Sequence, residues 1–173
     1  MPTAPLLAAW HDFFVLIGTA AATLIGAMFV VVSIGIGILT RDRLVAIHTF
    51  FSATVIHLST TFFGCALTMV PAVDPHWLTA IAGMAGLAGI VYSGSVIRGF
   101  NQHGGTDLSD WFWYAIFPLI AYAVLVASAV LGWRDTEAGM DLFAIVLSFM
   151  LIAGIRNAWD MLVFLVTSTR GSA

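Results

Sequence analysis

The chain has no lysine, a single glutamate and a single cysteine among its 173 residues, and charged residues make up only 9% of it. Each scarcity excludes something. So few charges cannot solvate the surface of a folded protein of this size. Together with 61% hydrophobic residues and a mean hydropathy of +1.03, this puts the chain outside the soluble globular class. A net charge of −3 without a basic run leaves no electrostatic footprint for nucleic acid. Cys65, alone and within an apolar run, closes no internal disulfide and reads as a small packing residue. No spacing of His, Cys and acidic residues suits a metal ion, so no metal is expected. Bis-histidine haem needs two facing imidazoles at one depth, whereas His48 and His57 point to opposite sides of one helix, so no cofactor is expected. Residues 1–10 have no basic stretch, and the apolar run that follows is a full span, so no cleavable signal peptide is expected.

What the chain does have is five long apolar runs, at about 13–39, 44–70, 78–97, 111–132 and 142–166. Each approaches or exceeds the roughly 20 residues that a helix needs to cross a bilayer. The links are short. The expected fold is therefore an all-α integral membrane protein, a bundle of five transmembrane helices forming one domain over residues 1–173. Arg41, Arg43, Arg98 and Arg170 fall on one side of such a bundle and Arg134 alone on the other. The positive-inside rule then sets the N-terminus outside and the C-terminus in the cytoplasm.

The first run contains Gly18, Ala22 and Gly26, small residues one turn apart that let another helix approach closely. Its opening, WHDFFVLIGTAAATLIG, resembles the first helix of a group of small uncharacterised bacterial inner-membrane proteins. That resemblance implies a multi-pass protein of the bacterial inner (cytoplasmic) membrane, and no activity follows from it.

The second run separates its polar residues into two stripes at 100° per residue. His48, Ser52 and Ser59 make one, and Thr54, His57, Thr61, Gly64 and Thr68 the other, with Thr60 at its edge. His57 falls close to mid-membrane, with Tyr122 of the fourth run at a similar depth. Both histidines read either as a proton- or ion-handling pair or as hydrogen-bonded packing residues. His76, in the link 71–77, reads as a solvated loop histidine. The third run is rich in glycine and alanine, and Gly86 and Gly89 read as packing positions. Its Gly-x-x-Gly pattern lacks the strand-turn-helix context of a nucleotide loop. In the fourth run, Pro118 removes a backbone hydrogen bond and is expected to kink the helix.

The most costly stretch is Arg156-Asn157-Ala158-Trp159-Asp160, inside the fifth run. Arg156 falls about 4 Å from the midpoint of that run and Asp160 about 6 Å further along. Four residues apart, they can pair on one helix face. Converted to depth, polarity is graded, from Arg156, Asn157, Asp160 and His48 on the cytoplasmic side to hydroxyls such as Thr61 on the outer side. This pattern suggests a vestibule, or a polar knot holding the helices in register.

The expected function is a homo-oligomeric ion channel or transport protein, passing a proton or other cation along a polar path on helices two and five. The path residues are Arg156, Asp160, Asn157, His57, His48, Thr61 and Tyr122. The alternative is a non-conducting accessory or regulatory subunit bound to another membrane protein, with Arg156 and Asp160 as a structural latch. An intramembrane hydrolase would need Ser52 or Ser59 beside His57, and neither shares its stripe, so no enzyme is expected. The expected partners are the lipid bilayer, further copies of the chain, or another membrane protein.

Overall fold

In the computed structural model, the backbone is described for residues 4–35, 41–71, 74–103, 111–134 and 137–170, and the side chains for 7–33, 53–71, 74–98, 111–134 and 137–163. Five α-helices account for nearly all of it, and no strand occurs among the described residues. Helix α1 is Ala4–Gly35, α2 is Arg41–Thr68 and α3 is Pro75–His103. A π-helical turn at Phe112–Ile116 leads into α4, Phe117–Trp133, and α5 is Glu137–Arg170. Four spans are long and apolar enough to cross a membrane: Leu7–Ser33, Pro75–Arg98, Phe112–Trp133 and Glu137–Val163. In α2 the described apolar stretch is the shorter Ala53–Thr68.

The helices outrun the apolar runs for local reasons. Asp74 starts α3, its carboxylate accepting from the His76 backbone N–H at 2.8 Å, with Pro75 at the first helical position, where a missing N–H costs nothing. His76 is therefore not a loop residue. Its ring packs at a tilt against Trp133 with centroids 4.8 Å apart, tying the start of α3 to the end of α4. At the other end, α3 continues through Arg98 and Asn101 to His103, because polar residues end an apolar run without ending a helix. Pro118, which cannot donate to the ladder, follows directly on the π-helical turn, where the Phe117 N–H bonds the Phe112 carbonyl five residues back. The disruption expected at Pro118 thus takes the form of a widened turn.

Helix α5 lies in the middle, packed against α2 on one side and α4 on the other and touching α1. Outside these, α1 packs on α2 and α3 on α4, whereas the consecutive helices α2 and α3 barely touch. The main apolar cluster joins Phe14, Cys65, Leu125, Leu147 and Met150 from four helices. Large apolar side chains also face outward on every helix, Leu16, Phe63, Val91, Ile120 and Phe149 among them, a surface compatible with a membrane protein.

Small residues decide how closely such apolar faces can meet. A Cβ on Gly86 would stand 2.7 Å from the Val126 side chain and 3.1 Å from the Tyr122 carbonyl, and one on Gly89 would run into the Tyr122 ring. These two glycines are what lets α3 lie on α4. The ridge on α1 divides. Gly18 packs within the chain, where a Cβ would be 3.0 Å from that of Cys65, while Ala22 and Gly26 face outward and nothing lies within 4 Å of a Cβ on Gly26.

Candidate functional site

Three polar loci lie along the seam between α2, α4 and α5. At the first, the Arg156 guanidinium pairs with the Asp160 carboxylate one turn along α5, and Asp160 Oδ2 accepts the Tyr114 hydroxyl at 3.2 Å. The guanidinium carbon lies 5.8 Å from the centroid of the Trp113 ring, within cation–π range. The π-helical turn ahead of Pro118 carries both aromatics. This pair is not sealed in: the side chains of Arg156 and Asp160 retain 37% and 29% of their exposure.

The second locus is closed. His57 Nδ1 and the Tyr122 hydroxyl are 3.0 Å apart, joining α2 to α4 across the centre of the bundle, and the two residues are 2% and 1% exposed. The smallness of Gly89 seats the Tyr122 ring, and with it the hydroxyl. On α2 the neighbours of His57 are Thr54 and Thr61, both fully buried, so this stripe is the one turned into the bundle. The Thr61 hydroxyl donates to the His57 carbonyl at 3.0 Å and also reaches the Leu147 carbonyl of α5 at 3.4 Å. Most other hydroxyls serve their own helices: Thr23, Ser33, Ser128 and Ser148 each donate to a carbonyl three or four residues back, whereas Thr60, which donates to the Ile56 carbonyl, is also a side-chain partner of Tyr122.

The third locus is Asn157 on α5, fully buried, with neither its amide nitrogen nor its carbonyl oxygen hydrogen-bonded. Ser93 Oγ on α3 is likewise buried without a partner. Ser59, on the opposite stripe of α2, lines a largely apolar cavity of about 300 Å³ between α2 and α3, together with Thr60, Phe63, Ala85, Leu125 and Phe143. The side chain of His48 lies outside the described residues.

Of the residues picked out in the sequence, the structure thus joins Arg156 to Asp160 and His57 to Tyr122, sets Thr61 beside His57 on the buried stripe, and leaves Asn157 unpartnered. Tyr114 is a further member, a direct partner of Asp160. Its place in the constellation follows from the α4–α5 contact, which no periodicity reveals. Among the described residues, no group of three or more His, Cys, Asp or Glu converges as a metal site. The chain matches no family model, no curated protein and no solved structure.

Proposed function

We propose that the protein is a five-span protein of the bacterial inner membrane, with the N-terminus outside and the C-terminus cytoplasmic, that assembles with further copies of itself and transfers protons along the α2–α4–α5 seam. The observation that carries this reading is the His57–Tyr122 hydrogen bond, a titratable imidazole bound to a phenol in the closed centre of an apolar bundle. Histidine is the side chain that changes charge nearest neutral pH, and a proton needs no pore, only hydrogen-bonding groups in sequence. The buried core at Val146 and Met150 leaves a proton better suited than a hydrated cation.

The depth of the ion pair fits this reading. Trp113 and Trp133 are about twenty residues apart, roughly 30 Å along a helix, the thickness of a hydrocarbon core. Aromatic residues mark such boundaries. With Arg156 over the Trp113 ring, this reading sets the pair at the inner margin. In that setting Asp160 and Tyr114 form the cytoplasmic entrance and His57 with Tyr122 the central station.

Reconstituted vesicles with an entrapped pH dye test the reading under an imposed gradient. His57→Gln keeps most of the size and hydrogen-bonding capacity of the imidazole while removing its titration, and is expected to cut proton flux at least tenfold at unchanged oligomer size. Flux equal to wild type removes His57 from the path. The half-exposed Arg156–Asp160 pair, flanked by the outward-facing Ile155 and Trp159, favours a second reading, in which that face docks on another membrane protein and the chain conducts nothing. Wild-type vesicles that move no proton under any gradient support this accessory role.

A further inference from the structure

Asn157 stands between the two hydrogen-bonded loci. On its own helix it precedes Asp160 by less than a turn, and Asp160 accepts from Tyr114. Across the seam, Thr61 reaches the Leu147 carbonyl and a Cβ on Gly154 would meet the Leu58 side chain. This register sets His57 about one turn, roughly 5 Å, from Asn157 toward the outer end. On the far side of α4, the register fixed by Gly83 on Ala129 and Gly89 on Tyr122 sets Ser93 level with Pro118.

A buried amide with neither end bonded is rare in native proteins. Where the protein supplies no partner, an ordered water does. We propose that Asn157 holds a water molecule between the Tyr114–Asp160 entrance and the His57–Tyr122 station, and that this water carries the proton across the gap. The relay rests on the proton-path reading above; the bound water does not. The chemistry of the site selects a neutral ligand over a metal cation. The carboxylate of Asp160 is engaged by Arg156, and the other described carboxylates, Asp12, Asp74, Glu137 and Asp141, all lie toward the opposite end of the bundle. An amide offers one acceptor and two donors, which can orient a water without exchanging protons with it. In the transfer, a proton arriving from the Tyr114 side adds to a lone pair of the water, and a different hydrogen leaves the same oxygen toward His57. The water is regenerated, and Asn157 acts as a positioning residue.

Two measurements on the full chain in lipid vesicles test this. Water-edited solid-state NMR of the ¹⁵N-labelled wild type is expected to show magnetisation passing from water to the Asn157 side-chain nitrogen. Asn157→Leu, which keeps the volume and removes the polarity, is expected to lose at least tenfold in proton flux at wild-type oligomer size, and Asn157→Ser, which can still bind water, to recover part of it. A dry Asn157 signal overturns the proposal. So does an Asn157→Leu variant with wild-type flux and a raised melting temperature, the behaviour expected on removing an unsatisfied amide. A wild type that moves no proton yet shows the water signal overturns the relay and the proton-path reading together, and keeps the water site.

Discussion

The His57–Tyr122 contact and the Arg156–Asp160 pair are both polar insertions into an apolar bundle, yet they are opposite in access. One joins neutral hydrogen-bonding groups from two helices and is closed to the surroundings. The other joins full charges on one helix, partly open and leaning on Trp113. Charge alone makes the pair look the more costly of the two. At the inner margin proposed for the pair, access reverses this, because an ion pair open to water contributes little and its members can reach a polar boundary, whereas a buried group stripped of its partner bears its full desolvation cost. The quieter of the two sites is then expected to hold the bundle together more strongly.

The comparison is broken most forcefully at its support. Gly89→Val places a branched Cβ where the Tyr122 ring lies. The overpacking is expected to cost about 3 kcal/mol or more and to part α3 from α4, seen as a loss of the folded fraction during denaturant titration in micelles. Retained stability would mean that Tyr122 can sit elsewhere and that its hydrogen bond to His57 is incidental.

Tyr122→Phe leaves His57 Nδ1 buried without its partner, an expected loss of about 1 to 3 kcal/mol. Combined with His57→Leu, it is expected to cost less than the sum of the two single changes, and a double-mutant cycle reads the difference. Strict additivity would show that the two side chains are not coupled.

Asp160→Ala tests the open site. A sealed ion pair would lose about 3 to 5 kcal/mol on removal of one partner, but a pair open to water at the proposed inner margin is expected to lose only about 1 kcal/mol. Thermal melts of Asp160→Ala beside Tyr122→Phe rank the two sites directly. If Asp160→Ala is the more damaging, a second copy or another protein covers the pair in the assembled state.

The smallest effect belongs to Gly26→Ala. No atom of the chain lies within 4 Å of the added methyl, so the change is expected to be neutral or to stabilise α1 by up to about 1 kcal/mol through helix propensity. A loss of oligomer size on gel filtration would instead show that this bare stretch of α1 is a contact between copies.

Helix number, helix type and the apolar outer surface were legible in the sequence, because each depends on local quantities: the length of an apolar run, the spacing of glycines, a proline in a span. The stripe of Thr54, His57 and Thr61 was legible too, since residues three and four apart share a helix face whatever lies opposite. Chain order could not reveal the neighbours. Helices α2 and α3 follow one another yet barely touch, while α2 meets α5 far along the chain, since among helices this apolar the closest-fitting faces associate. That choice brought Tyr122 to His57 and Tyr114 to Asp160, split the α1 ridge between Gly18 inside and Gly26 outside, and left Asn157 without a partner. Exposure followed from it as well. The sequence made Arg156 a charge within an apolar run, but its cost depends on what stands beside it, and the α4–α5 contact stood Trp113 there.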